Sequence, residues 1–159
     1  MLYFTVAALI VILDQVSKRI AWEYLRSGGG VDVIDGILRF NLSKNSGAVF
    51  GVLSGSTKFL LVVTIISIGA LIYFAYRMRF APAPKRVYLG LIIGGAFGNL
   101  IDRLASGEVI DFIEMGIGRY HWPTYNVADM AVTIGAILLI AGFIWNSEEE
   151  KNQPDATVQ

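Results

Sequence analysis

The sequence predicts an all-α polytopic membrane protein, with four transmembrane helices, a small extracytoplasmic β-hairpin or sheet and a second outer loop. Of 159 residues, 55% are hydrophobic and 16% charged, and the mean hydropathy is +0.58. A soluble domain would carry about 25% charged residues. Four apolar stretches, at residues 1–24, 59–76, 87–103 and 127–145, each approach the roughly 20 residues of helix that a bilayer requires. They use so much of the chain that no separate soluble domain fits. Residues 1–147 therefore read as one four-span domain and 148–159 as a polar tail, expected to be disordered.

The first stretch lacks a basic leader, and Leu13 is followed by Asp-Gln-Val-Ser-Lys-Arg rather than by a small-residue cleavage site, so it reads as a retained span. Asp14 and Lys18 are four apart on one helical face. Lys18 and Arg19 are expected to snorkel to the interface, and Gly28-Gly29-Gly30 ends the segment. An outer β element is expected at about 31–53. Within it Asp35-Gly36, between two apolar runs, signals a hairpin. Val31, Val33, Leu38, Phe40 and Leu42 are expected on one apolar face. A lone hairpin is marginal in water, so it should pack on the membrane surface or on another strand. Small residues in Asn45–Gly51 permit close backbone approach.

The second stretch carries no charge, and Pro82 and Pro84 punctuate the loop after it. Gly90, Gly94 and Gly98 form a small-residue stripe on the third, which lets another helix come close. Asn99, Asp102 and Arg103 fall on one face at its end. Residues 108–125 read as an outer loop, either a mobile flap or a fixed interfacial helix, although Gly116 and Gly118 weaken any helix there. Trp122 and Tyr125 suit the headgroup level. Asn126 is placed to cap the fourth helix, with Asp129 three residues in.

Arg77, Arg79, Lys85 and Arg86 make a compact basic loop, which places that loop and both termini in the cytoplasm. Alternating spans then bring Asp14, Asp102, Asp111 and Asp129 to the outer side. Carboxylates against hydrocarbon cost about 2.5–3.5 kcal/mol each on insertion, which makes the cluster a functional candidate. The zero net charge suggests no nucleic-acid partner. The absence of cysteine excludes disulfides and thiolate chemistry, and a single histidine, His121, excludes a His-rich metal site.

Each aspartate also has a bland reading. Asp129 could simply serve a helix N-terminus, Asp102-Arg103 an interfacial anchor, and Asp111 a loop. Ser17-Lys18 and Ser43-Lys44 are poor dyads, because adjacent helical residues diverge by about 100°. Asp111, Asp129 and Glu108 would make only an oxygen-ligated metal site. Two carboxylates sharing a proton are the most economical chemistry, since their repulsion leaves one acid and one base near neutral pH. Spacing does not choose between Asp111 and Asp102.

The motifs, taken in order, resemble one family, the bacterial lipoprotein (type II) signal peptidases. Asp14-Gln-Val-Ser-Lys18, Asn45-Ser-Gly-Ala-Val-Phe-Gly51, Gly94-Gly-Ala-Phe-Gly-Asn-Leu-Ile-Asp-Arg103 with Val109-Ile-Asp-Phe112, and His121-Trp-Pro-Thr-Tyr-Asn-Val-Ala-Asp129 carry the resemblance along nearly the whole chain. Val49, Thr124 and Tyr125 depart from the usual residues, with similar size or shape. The resemblance implies an aspartic endopeptidase of the cytoplasmic (inner) membrane, with Asp111 and Asp129 as the catalytic pair near the outer face. Asp14, Lys18, Asn45, Asn99, Arg103 and Asn126 fall among its supporting and substrate-binding polar positions. The implied substrates are diacylglyceryl-modified prolipoproteins among membrane lipids, handled by a monomer with no cofactor and no metal. The competing reading is a proton-coupled transporter or channel, whose carboxylates belong nearer the membrane midplane. A membrane assembly factor using the glycine stripe is a third.

Overall fold

A computed structural model describes residues 2–47 and 57–152, with the backbone alone for 146–152. The chain runs α1 (Leu2–Leu25), β1 (Val31–Ile34), β2 (Leu38–Asn45), α2 (Thr57–Arg77), α3 (Ala83–Ser106), β3 (Val109–Ile117), β4 (Tyr120–His121) and α4 (Val127–Asn152). Among the described residues, three helices are long and apolar enough to cross a membrane, at Thr57–Arg77, Ala83–Ser106 and Val127–Trp145. α1 is equally long, but Asp14, Lys18 and Arg19 interrupt its apolar run.

α3 is the central helix, packed by α1, α4 and α2. Pro84 in its first turn removes an N–H that has no helical partner anyway. Gly107 ends it in the left-handed conformation, φ 80°, and its N–H donates to the Arg103 carbonyl. The glycine stripe is the α1 seam: Gly90 lies against Tyr3 and Val6, Gly94 against Ala7 and Ile10, and Gly98 against Asp14. Gly95 faces Ala128 of α4 instead. Tyr3, Ala7, Ala75, Leu89 and Ile93 form the core between these helices.

The hairpin forms where the sequence places it, with Gly36 at φ 70° in the turn. Among the described residues the sheet has four antiparallel strands in the order β1-β2-β3-β4. Phe40 and Leu42 pack on Ala21, Leu25 and Phe112, which seats the sheet on the end of α1. Val31 pairs directly with Phe40 and so projects from the same face. On β1, at the edge of the described sheet, it and Val33 stay about half exposed rather than packing on α1.

Three further expectations are corrected. Residues 108–125 are not a helix: Val109–Ile117 is the strand beside β2, and Tyr120–His121 pairs back onto it. Pairing with β2 meets the backbone hydrogen-bonding demand that a loop would leave to water. α4 continues to Asn152, so the tail starts as helix. Glu148, Glu149, Glu150 and Lys151 are good helix formers, and no breaker precedes Pro154. Lys18 does not snorkel but is 2% exposed, turned inward to partners on α3. Residues 48–56, which complete the expected β element and the second motif, lie outside the described residues.

The seam makes a direct prediction. A side chain at Gly94 would meet the Ala7 carbonyl at 2.7 Å and the Ile10 Cβ at 2.8 Å. Gly94→Val should destabilise the protein by about 1–3 kcal/mol through overpacking. Gly69, with open space around it, should tolerate alanine or gain about 0.5–1 kcal/mol. Thermal unfolding of the two variants in detergent micelles checks this; equal melting temperatures would refute the seam.

Candidate active site

β2 and β3 bring the first carboxylate into place. Ser43 pairs with Asp111 and Asn45 with Val109, so Asn45 and Asp111 are diagonal neighbours on one face of the sheet. Asn45 Nδ2 donates to Asp111 Oδ2 at 3.0 Å, and Asn126 Nδ2 donates to Oδ1 at 2.6 Å. Asp111 is 1% exposed.

The second carboxylate comes from the first turn of α4. Asn126 Oδ1 accepts the Asp129 N–H at 3.0 Å, and Asp129 Oδ2 accepts the Asn126 N–H at 3.2 Å. This reciprocal cap satisfies two N–H groups that a helix start leaves unpaired. The capping reading of Asp129 is therefore correct, yet it uses only Oδ2. Oδ1 turns to Asn99 Nδ2 at 2.8 Å. Asn126 and Asn99 are joined in turn, Nδ2 to Oδ1 at 3.2 Å. Two amides thus bridge the two carboxylates.

Behind the amides lies a buried ionic cluster. Lys18 Nζ stands 2.8 Å from Asp14 Oδ2, 2.8 Å from Asp102 Oδ2 and 3.1 Å from Asn99 Oδ1. Asp14 Oδ1 accepts the Ala128 N–H at 2.9 Å, which fixes the start of α4. Asp102 Oδ2 accepts the Ile110 N–H at 3.1 Å, which fixes the strand beside Asp111. Asp102 is 7% exposed and internally paired, so it is not an interfacial anchor. Gln15 was not singled out in the sequence, but its Nε2 reaches Asp102 Oδ1 at 2.9 Å and Asp14 Oδ2 at 3.2 Å. Its place in the same motif, between two of the network's residues, was the available signal.

A cleft of about 920 Å³ opens onto the bridged carboxylates. Asn45, Gly47, Asn99, Arg103, Asp111 and Asp129 form its polar wall, and Trp122, Tyr125, Met130 and Ile134 its apolar one. Arg103 Nη2 reaches the Gly47 carbonyl at 3.4 Å. All eight residues that the sequence nominated are thus on the cleft or in the network behind it. Glu108 is 3.9 Å from Lys44, and among the described residues no three of His, Cys, Asp and Glu are grouped to hold a metal.

Burial pushes the Asp111 carboxyl from its ordinary 3.8 up to about 6. The Asp129 charge acts in the same direction, while Asn45, Asn126 and Lys18 oppose it. The arrangement can hold a proton on Asp111 at a higher pH than an exposed aspartate would, beside a second carboxyl on the same cleft.

Comparison with known proteins gives a consistent result. The family model for signal peptidase (SPase) II matches residues 6–145. A lipoprotein signal peptidase of Bacillus velezensis is 38% identical, over 96% of this chain and all of that relative. One from Staphylococcus aureus is 37% identical, over 93% of this chain and 91% of that one. A solved bacterial membrane enzyme, determined in meso at 2.3 Å resolution, superposes with a TM-score of 0.81 and 34% identity, covering 99% of this chain and 94% of that one. A second, at 1.9 Å, gives 0.75 and 37%, covering 89% and 91%. The chain belongs to the signal peptidase II family, and with its apolar helices it is an integral membrane protein. The transporter alternative gains no support.

The raised Asp111 value predicts a pH dependence of stability. The folded chain binds this proton more tightly than the unfolded chain, so the protonated form favours the fold. That contribution is present below about pH 4 and is lost as pH rises through about 6. Relative to Asp111→Asn, the wild type should lose on the order of 3 kcal/mol across this window. Unfolding measured from pH 4 to 8 checks it, and a pH-independent difference would contradict the buried, proton-holding state.

Proposed function

We propose that this chain removes signal peptides from prolipoproteins, cutting before a diacylglyceryl-modified cysteine by aspartic chemistry at Asp111 and Asp129. The observation that carries the reading is the pair of carboxylates on one cleft, bridged by Asn126 and Asn99. The names of the relatives supply the substrate class.

In this mechanism Asp111 holds the shared proton and Asp129 is ionised. Burial of Asp111 supports that assignment, as does the partial exposure of Asp129 on the same cleft. Asp129 takes a proton from water as the water oxygen attacks the scissile carbonyl. Asp111 gives its proton to the carbonyl oxygen, and the pair returns one to the leaving amine. Arg103 and Asn45, on the polar wall, are placed to hold the peptide backbone. The chemistry requires neither metal nor cofactor, and one chain supplies every group.

In the same reading α1 is a fourth span. Phe4, Leu9, Ile12, Leu13, Val16 and Ile20 face outward, while Asp14 and Lys18 turn in and pair. Two of the three charges that interrupt its hydropathy are thus withdrawn from lipid, while Arg19 stays exposed towards the end of the helix. Residues 1–147 form one domain in the bacterial cytoplasmic membrane, with the site near the outer face and the tail 148–159 inside. Residues 108–125 border the cleft as an outer flap, since Trp122 and Tyr125 line it.

Asp111→Asn and Asp129→Asn should each abolish cleavage of a lipidated peptide by purified enzyme, by at least about 1000-fold, with insertion and folding intact. A chelator should leave wild-type turnover unchanged. Wild-type rates from either asparagine variant would sink the aspartic assignment. Reporter fusions at Gln159 and within 82–85 should both read cytoplasmic; an external signal at either would invert the orientation.

A further inference from the structure

We propose that Lys18 is a positioning residue for this reaction: its buried ammonium sets the Asn99 amide, and through that amide both carboxylates. The proposal rests on the aspartic reading above. Lys18 does not line the catalytic cleft and touches neither Asp111 nor Asp129 through a hydrogen bond. It stands behind Asn99, which does line the cleft.

An ammonium has three donors and no acceptor. Two of the donors of Lys18 go to Asp14 and Asp102, which already neutralise it. The third goes to a neutral amide oxygen, Asn99 Oδ1, at 3.1 Å. That oxygen also accepts from Asn126 Nδ2 at 3.2 Å, the same nitrogen that donates to Asp111 Oδ1. With Oδ1 held by two donors, Asn99 Nδ2 points to Asp129 Oδ1 at 2.8 Å. Turning the amide over would set its NH₂ against the ammonium and the Asn126 NH₂, and its oxygen against the Asp129 carboxylate. Both contacts are repulsive. Without the ammonium, Oδ1 loses one of its two donors. The Asp129 carboxylate and Asn126 still oppose the turn, but Asn126 also reaches the Ile110 carbonyl at 3.3 Å and can shift towards it.

The simpler alternative is that Lys18 only neutralises Asp14 and Asp102. Removing Lys18 alone confounds the two, because an unpaired buried carboxylate is strongly destabilising. Lys18→Met combined with Asp102→Asn removes one charge of each sign. Asp14 then loses its ammonium but keeps the Ala128 N–H and Gln15 Nε2 as donors. Lys18→Met with both Asp14→Asn and Asp102→Asn serves as the control without any buried carboxylate in the cluster. The experiment is steady-state cleavage of a lipidated peptide by this double variant, beside Asn99→Ala and Asn99→Ala combined with Lys18→Met and Asp102→Asn. Thermal unfolding confirms the folded fraction of each.

Misplacement of a reacting group by about 1 Å costs about 100-fold, so kcat should fall by about that factor with KM little changed. The same pair of substitutions should cause little further loss on the Asn99→Ala background. A folded double variant with wild-type kcat, a loss confined to KM, or losses that multiply across the Asn99→Ala cycle would overturn the proposal. Failure of the aspartic reading is separate, since it appears as wild-type cleavage by Asp111→Asn or Asp129→Asn whatever this cycle shows.

Discussion

The burial of one ammonium between two carboxylates sets the rest of the structure. Lys18 and Asp14 come from α1 and Asp102 from α3, so the cluster joins the two helices at the level of the cleft. Each carboxylate has a second task. Asp14 takes an N–H from the first turn of α4, and Asp102 takes one from the start of β3. The elements that carry Asp129 and Asp111 are therefore both fixed to the same buried charge. Breaking such a cluster by removing one partner costs about 3–5 kcal/mol in comparable sites, because the remaining charge stays desolvated.

Close helix packing makes the cluster possible. A Cβ at position 98 would lie 2.5 Å from Asp14 Oδ2. At Gly95 it would collide with the Ala128 carbonyl of α4, one residue before Asp129. The stripe that reads as simple helix packing in the sequence thus also makes room for Asp14, and its neighbour Gly95 lets α4, which carries Asp129, lie close against α3. Packing and chemistry share the same residues here, and substitutions along α3 should show in turnover as well as in stability.

Much of this was legible in the sequence, and the remainder depends on contacts between distant residues. Hydropathy located all four helices, and Asp35-Gly36 located the hairpin turn. Their ends moved by a few residues where Pro84, Gly107 or the glutamates after Ser147 decide them locally. The strand at Val109–Ile117 was not legible, since its partner is β2, about 70 residues earlier, and Gly116 weakens any local signal. The inward turn of Lys18 was hidden for the same reason: Asn99 and Asp102 are more than 80 residues away. Asp102 and Asp111 look alike in spacing. What separates them is that one meets an ammonium and the other meets two amides.

The central claim is that this hydrogen-bonded column presents two carboxylates that share one proton. Infrared difference spectroscopy of the membrane-embedded protein, titrated with pH, tests it most directly. The account predicts a protonated-carboxyl C=O band that persists to about pH 6 and is missing from Asp111→Asn. A band that disappears near pH 4, or one that survives unchanged in Asp111→Asn, would contradict it.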